Sequence, residues 1–319
     1  PSLETGQAIR IMTGARIPTG ADSIVLIEEA EAIDDGTKFG KVKLHKKSRP
    51  NYIRRAGENM TSGQIMLNKG ERMDPFRIGL AATMGYSELP VYSKVKYSII
   101  STGDELIKPG EELKLGQIYE SNSYTLAALV KEMGHEPIVI DAIGDDMTTL
   151  REKLDTAAKQ SDVIITSGGV SMGEFDLVRK IMEEEGNIKF WRVKMKPGSP
   201  PLFGLWKNTP IFGLPGNPIS SQLVFLMLVK PWISKIQGGK LNCHMIVKAK
   251  LTETIKTNQE LLVLRRIFVE SSSDGMIAKL TLNQGSGNSS STTISNAVTL
   301  IQPGQSANAG DIIDAILIR

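Results

Sequence analysis

A single cysteine, Cys243, in 319 residues excludes an intrachain disulfide and a thiolate cluster for zinc, and suits a reducing cytoplasm. Histidine is nearly as scarce. His45, His135 and His244 lie far apart, so an imidazole-based metal site is not expected, and without a G-x-S-x-G elbow neither is a His-dependent triad. Long apolar runs are also missing: the longest, Leu223 to Val229, falls far short of the roughly 20 residues that span a bilayer, so a soluble chain with no membrane partner is expected. The net charge of +3, from 38 basic and 35 acidic residues, is too small to imply a nucleic-acid partner without a clustered patch. The densest basic stretch, Lys41 to Arg55, contains no aromatic residue but Tyr52 and reads as a solvated face. Oxygen-ligand chemistry survives these exclusions.

The remaining composition is that of a folded protein. At 40% hydrophobic and 23% charged residues it sits near the globular average, and its length suggests two or three domains, each able to bury a core. The chain opens at Pro1 with no methionine and no signal-type segment, so its true start is expected upstream.

Residues 1 to about 60 read as a small β module, with β-branched runs at Ile9 to Met12, Ile24 to Ile27 and Lys41 to Leu44 between turn signals. Asp74 and Pro75 then open a connector helix that Gly85 ends, with Ile78, Ala81 and Ala82 on one face. From Val95 strands alternate with helices: strands Val95 to Ser101, Pro137 to Ile143 and Val163 to Thr166, and helices around Leu126 to Met133, Thr148 to Ala158 and Phe175 to Glu184. That alternation predicts a mostly parallel sheet with helices on both faces. A hairpin, Leu202 to Trp206 and Ile211 to Leu214, precedes an apolar helix, Ile219 to Ile236. After the Gly238-Gly239 linker the pattern returns to strands at Met245 to Leu251, Leu261 to Val269, Ile277 to Leu282, Ala297 to Ile301 and Ile312 to Ile318. Among these lies a serine-rich stretch, Gln284 to Asn296, which reads as an ordered binding loop.

Ligands of open parallel sheets bind beyond the carboxyl ends of the strands, which directs attention to four segments. Thr102-Gly103-Asp104-Glu105 follows the first strand, and Glu120 and Asn122 come soon after it. Gly168-Gly169-Val170-Ser171 follows the third, its paired glycines letting backbone amides approach an anion, with Asp176 beyond. Pro215-Gly216-Asn217-Pro218 turns into a helix bearing Ser220 and Ser221. In Lys194-Met195-Lys196-Pro197-Gly198-Ser199-Pro200, alternation places Lys194 and Lys196 on one face of a strand running from Phe190 to Met195 and beyond. Taken singly, each is an ordinary turn or a surface charge. Together, carboxylates, glycine amides and a lysine at strand ends make a site for phosphate and magnesium, because Mg²⁺ takes oxygen ligands and bridges them to phosphate.

Those segments, TGDEL (Thr102 to Leu106), GQIYESN (Gly116 to Asn122), GGVSMGEFD (Gly168 to Asp176), KPGSP (Lys196 to Pro200) and GLPGNPISS (Gly213 to Ser221), closely resemble the MoeA-like molybdopterin molybdenumtransferases, the family of the gephyrin E domain. IMTGARIPTGAD (Ile11 to Asp22), IRRAGEN (Ile53 to Asn59) and QGSG (Gln284 to Gly287) extend the resemblance over essentially the whole chain. It implies a multidomain α/β plus β protein. A MogA-like, doubly wound, mostly parallel α/β domain (residues 93–237) would be flanked by a small N-terminal β module (1–58) with part of a helical dimerisation region (59–92), and by a small β-barrel-like C-terminal domain (238–319).

The function implied is cytoplasmic molybdenum cofactor biosynthesis by a homodimer. Molybdate would be inserted into adenylylated molybdopterin (molybdopterin-AMP) with Mg²⁺-dependent release of AMP, with other cofactor-biosynthesis proteins as further partners. By motif position Glu105, Asp176 and Thr13 match catalytic residues, the two carboxylates also as metal ligands. Thr102, Gly103, Asp104, Asn122, Gly168, Gly169, Ser171, Pro215, Gly216, Asn217 and Pro218 match the substrate cradle, and Lys196, Ser199, Pro200, Ser220, Arg265 and Ser286 the molybdate pocket.

Three departures from the family pattern stand out. An upstream segment carrying an aspartate in a Met-Asp-Gly-Tyr context has no counterpart before Pro1. Ser199 replaces the second lysine of Lys-Pro-Gly-Lys-Pro, and the family's arginine ahead of the Phe-x-Arg strand falls on or near Glu260, leaving Arg265 or Arg266 to supply a guanidinium. The resemblance leaves open a non-catalytic molybdopterin- or nucleotide-binding or scaffold homologue, and a tungstate-inserting one, since tungstate and molybdate share size and charge.

Overall fold

The architecture was derived from a computed structural model that describes residues 2–34, 36, 40–144, 146–171, 173, 176–238 and 244–318. Cys243 and the Phe175 start proposed for one helix lie outside the described residues. The chain forms two compact units, Pro1–Asn68 and Lys69–Arg319.

The first unit contains one antiparallel pair, β1 (Ala30–Ile33) with β2 (Lys41–Leu44), and is otherwise held by turns and single bridges such as Ile24 with Arg49. The run Ile9 to Met12 forms no strand, and Ile24 to Ile27 gives only that bridge before a 3₁₀ turn at Ile27–Glu29. β-branched residues favour extension, but a strand exists only where a neighbouring edge accepts its hydrogen bonds. In the basic stretch Lys46 and Arg49 reach Glu29 at 3.1 and 3.0 Å, and the Arg49 guanidinium donates to the Tyr52 hydroxyl at 2.8 Å. Part of that charge is therefore spent inside the unit.

In the second unit α1 (Pro75–Thr83) starts where Asp74 accepts the Arg77 N–H at 2.9 Å, and Gly85 leaves it at a φ of 86°. Of the expected face only Ala81 is buried. Then follow β3 (Lys96–Thr102), β4 (Leu106–Ile107), β5 (Ile118–Tyr119), α2 (Asn122–Glu132), β6 (Glu136–Ile143), α3 (Met147–Gln160), β7 (Val163–Ser167) and α4 (Leu177–Glu184). Next come β8 (Asn187–Trp191), β9 (Met195–Lys196), β10 (Leu202–Trp206) and β11 (Thr209–Leu214). Six of these strands form one sheet in the order β6-β3-β7-β11-β10-β8. The pairs β6·β3, β3·β7 and β7·β11 are parallel, whereas β10 runs against both its neighbours.

Alternation along the central strands divides the core between the two faces. Tyr97, Ile99, Val163, Ile165 and Phe212 pack with Leu126 and Val130 of α2, and Ile100, Ile164 and Ile211 pack with Leu150, Leu154, Val178 and Ile181 of α3 and α4. The apolar helix continues the first of these layers. It is α5 (Pro218–Val224), a π-helical segment Phe225–Val229 and α6 (Lys230–Ile236), rather than one regular helix. Pro231 lacks an N–H and its ring would meet the carbonyl four residues earlier; a wider turn before it relieves that clash. Pro218–Ile236 is long and apolar enough to cross a membrane by length and composition, yet Ile219, Leu223, Phe225, Val229 and Ile233 are core residues.

The remaining strands are β12 (Ile246–Leu251), β13 (Leu262–Val263), β14 (Arg266–Ser272), β15 (Gly275–Leu280), β16 (Ala297–Thr299) and β17 (Ile312–Leu317), with a helical turn, α7 (Ser290–Thr293), inside the serine-rich stretch. A closed barrel forms in the order β12-β15-β14-β16-β17, which removes exposed sheet edges. The expected strand Leu261 to Val269 is two strands. Its first part, β13, leaves the barrel and pairs in parallel with β9, Leu262 opposite Met195 and Val263 opposite Lys196.

Gly213 is the penultimate residue of β11, where a Cβ would stand 2.6 Å from Val170 Cγ1 and 3.2 Å from Leu202 Cβ. Gly213→Ala should therefore cost about 1–3 kcal/mol by overpacking and push the segment leading to Ser171 outward. Urea denaturation monitored by circular dichroism is the check, and an unchanged midpoint would show that Val170 yields freely.

Candidate functional site

The carboxyl ends of β3, β7 and β11 converge, and glycines make the approach possible. A Cβ on Gly168 would lie 2.6 Å from the Thr102 carbonyl oxygen and 2.8 Å from Thr102 Oγ1, and one on Gly169 3.2 Å from that hydroxyl. Both glycines have positive φ, 99° and 66°, so the turn after β7 nests against the turn after β3. The Gly168 N–H, however, donates to the Leu214 carbonyl at 3.0 Å, and the Ile219 N–H at the start of α5 donates to the Ser286 carbonyl at 3.1 Å. These two amides are spent within the protein and are not among the donors left for an anion.

Those side chains gather around a cavity of about 670 Å³. Gly169, Ser171 and Asp176 line one side; Lys196, Ser199 and Pro200 a second; Pro215, Gly216, Asn217 and Ser220 a third; and Arg265 and Ser286, from the barrel, the fourth. The β9·β13 ladder delivers Lys196 and Arg265 to the same space, and the bond from Ile219 N–H to Ser286 holds the serine-rich loop against the helix start. Two cations, the Ser220 and Ser286 hydroxyls and one carboxylate suit a tetrahedral oxyanion beside a phosphate-bearing ligand. The Ser199 hydroxyl, by contrast, donates to the Met195 carbonyl at 2.5 Å.

The structure distinguishes the two adjacent arginines. Arg265 is half-buried and lines the cavity. Arg266 is fully buried; its guanidinium donates to the Ser291 hydroxyl at 3.0 Å and to the Asn283 and Gly285 carbonyls at 3.1 Å each. Burial, then the charge of Arg265, push its pKa down. Arg266 thus braces the loop whose Gln284, Gly285 and Ser286 form the wall. Glu260 is exposed and is not among the lining residues.

Several expected residues lie elsewhere. Thr102, Gly103, Asp104, Glu105, Asn122, Gly168 and Pro218 are not on the cavity wall. Glu105 is exposed, its carboxylate folded over Gly103, where a Cβ would come within 2.5 Å of it. Asp104 Oδ1 occupies the corresponding space over Gly144. Asn122 spends its amide on protein, donating to Ser167 Oγ at 2.8 Å and the Gly216 carbonyl at 2.7 Å. Asp176 Oδ2 accepts from the Gly173 N–H. Thr13 belongs to the first unit, exposed in a turn closed by the Ala15 N–H on the Met12 carbonyl at 3.0 Å. Among the described residues no three carboxylates, imidazoles or thiols form a ready metal cluster.

Lys194 and Lys196 do not share one strand. β8 ends at Trp191, and Arg192, with a φ of 75°, redirects the chain. Lys194 lines an adjoining cavity of about 630 Å³ with Arg192, and Ser171, Ser199, Pro200 and Leu261 are common to both cavities. Arg179 and Arg192 lie over the Trp191 ring, 4.8 and 4.5 Å from its centroid, and the indole N–H donates to the Val170 carbonyl at 2.9 Å. The motifs gave no sign of Leu261. Gln284 and Gly285 could have been read from the QGSG segment as neighbours of Ser286.

Comparison with known proteins places these residues in a family context. Residues 1–85 match the MoeA N-terminal region (domain I and II), and residues 98–235 match a probable molybdopterin binding domain. A molybdopterin molybdenumtransferase from Haemophilus influenzae is 38% identical over 73% of this chain and 57% of its own length. One from Staphylococcus epidermidis is 33% identical over 99% of this chain and 75% of its own. The crystal structure of a molybdopterin biosynthesis MoeA protein from Pyrococcus horikoshii superposes with a TM-score of 0.81 at 29% identity, covering 99% of this chain and 77% of that one. The chain thus spans less than two thirds of the Haemophilus relative.

If Arg265 is the barrel's cation in the cavity, Arg265→Ala should weaken binding of inorganic molybdate by roughly 10- to 100-fold, the worth of a charge-assisted hydrogen bond of about 1.5–3 kcal/mol. Ser199→Lys should instead tighten it about tenfold by adding a second charge on the Lys196 side. Isothermal titration checks both, and equal affinities in all three proteins would remove the oxyanion from this cavity.

Proposed function

The chain belongs to the MoeA-like molybdopterin molybdenumtransferase family, and from that membership we propose that it inserts molybdate into adenylylated molybdopterin, releasing AMP, as a cytoplasmic homodimer. The observation that carries the reading is the meeting of Lys196 and Arg265 at one cavity beside the glycine turns, since a dianionic tetrahedral oxyanion needs fixed cations and hydroxyl donors. Lys196 and Arg265 hold the oxyanion by charge, and Ser220 and Ser286 fix its orientation through hydrogen bonds. The turn at Gly169 and Ser171 and the Pro215-Gly216-Asn217 turn receive the pterin and its phosphate. Burying the oxyanion between barrel loop and helix start limits competing water and strengthens each electrostatic contact.

Magnesium suits the donor set in a limited way. Asp176 offers oxygen on the cavity wall, and the substrate's phosphate oxygens and water would complete the shell, as Mg²⁺ usually requires. Bound there, it would neutralise charge on the phosphoanhydride during cleavage. Glu105, off the cavity wall in the neighbouring turn, enters the reading through its motif position alone. The dimer reading draws support from Phe76 and Ile78 of α1, both left exposed on this chain.

Incubating the full-length protein with adenylylated molybdopterin, Mg²⁺ and molybdate should yield AMP and metallated cofactor in equal amounts, and a parallel reaction with tungstate reports metal choice. Asp176→Ala and Glu105→Ala should each slow AMP release at least tenfold without lowering the melting temperature. No AMP from the wild type would overturn the enzymatic reading, and wild-type rates in both variants would return the carboxylates to the solvated surface.

A further inference from the structure

Glu120 is a carboxylate only 5% exposed, sited between β5 and α2, and the chemistry above leaves it unused. A carboxylate buried to this degree must be satisfied by donors. Ser101 Oγ, at the end of β3, donates to its Oε1 at 2.9 Å, Ser123 N–H in the first turn of α2 donates to the same oxygen at 2.8 Å, and the Ser123 hydroxyl donates to Oε2. Its backbone N–H donates to the Ile107 carbonyl at 2.8 Å, within the β4·β5 ladder that also holds the Glu105 carbonyl. Two residues on, both bonds of the Asn122 amide cross to other strand ends, Ser167 Oγ of β7 and the Gly216 carbonyl after β11. Ser167 Oγ in turn reaches the Pro215 carbonyl at 3.5 Å.

We propose that Glu120 and Asn122 form a buried polar strap, a pair of positioning residues that fixes the turns after β3, β7 and β11 relative to one another and so sets the shape of the ligand cradle. Neither side chain lines the cavity, yet Gly216, held by Asn122, and Pro215, reached through Ser167, do. The strand pairings end at Thr102, Ser167 and Leu214, and past them the backbone adds only single bonds, from Gly103 N–H to Ile143 and from Gly168 N–H to Leu214, before the cradle begins. The strap depends on hydrogen-bond geometry rather than charge. A glutamine at 120 keeps an oxygen for Ser101 or Ser123 N–H, and either serine hydroxyl can turn to accept from its amide. An alanine removes every acceptor. The consequence for ligand affinity rests on the proposed function; the consequence for the loops does not.

Hydrogen exchange of the ligand-free full-length protein, followed by mass spectrometry, separates the two. In Asn122→Ala, peptides spanning 163–171 and 213–221 should exchange at least tenfold faster than wild type while the barrel peptides stay unchanged; Glu120→Ala should add the 102–107 segment, and Glu120→Gln should remain within about twofold of wild type. AMP affinity, measured by titration, should fall at least fivefold in Asn122→Ala and stay near wild type in Glu120→Gln. Unchanged exchange in Asn122→Ala overturns the strap, as does a Glu120→Gln variant as loose as Glu120→Ala. If Glu120→Ala fails to fold, the Asn122→Ala and Glu120→Gln pair decides. Faster exchange in a protein whose wild type does not bind AMP would uphold the strap and refute the functional reading instead.

Discussion

Two residue pairs of parallel β structure, Leu262 with Met195 and Val263 with Lys196, join the barrel to the α/β layer, and the candidate site depends on them. The chain that enters the barrel at Arg266 first pairs with β9 for two residues, where the backbone donors of Leu262 and Leu264 find the carbonyls of Lys194 and Lys196. That detour has a chemical result. It places Arg265 at the point where the chain passes from one core to the other, so that it lines the same cavity as Lys196, while Arg266 turns inward and braces the loop carrying Ser286. Three backbone bonds at the junction, from Leu262 and Leu264 to Lys194 and Lys196 and from Ile219 N–H to Ser286, therefore join segments 67 or 68 residues apart in the chain.

The cradle shows how backbone and side-chain recognition share a site. Glycine-rich turns at strand ends are ready places for an anion, yet here the Gly168 amide is occupied by Leu214. The glycines serve a different need: without Cβ atoms the turn after β7 can lie against Thr102 and close the distance between strands. Charge is supplied instead by long side chains from KPGSP and from the barrel. Of the two cations Arg265 is the half-buried one, and a cation at a partly enclosed wall is less screened than one on open surface.

Much of this was legible in the residue pattern because much of it is local. Asp74 with Pro75 marks a helix start by satisfying N–H groups within one turn, and the alternation in Tyr97 to Ile100 marks a strand buried on both faces. Where the pattern misled, a long-range or stereochemical factor intervened. Ile9 to Met12 has the right residues but no adjacent edge, Arg192 breaks a strand with a positive φ, and Pro231 forces the wide turn in an otherwise regular apolar helix. Asn122 and Glu120 sit in a recognisable segment, but whether an amide faces a ligand or ties two loops together depends on what lies across the sheet.

The family, the order of strands and helices, the turns at which chemistry gathers and most of the residue types available there can be read from the chain alone. Each follows from periodicity, caps and motifs, which are properties of short stretches of chain. Tertiary structure alone decided which of two neighbouring arginines reaches the cavity, that Lys194 and Lys196 line separate though adjoining spaces, and that Glu105 and Asn122 stand off the cavity wall. Those outcomes hang on hydrogen bonds between residues far apart in the chain, and such partners are chosen only when the sheet, the apolar helix and the barrel have packed.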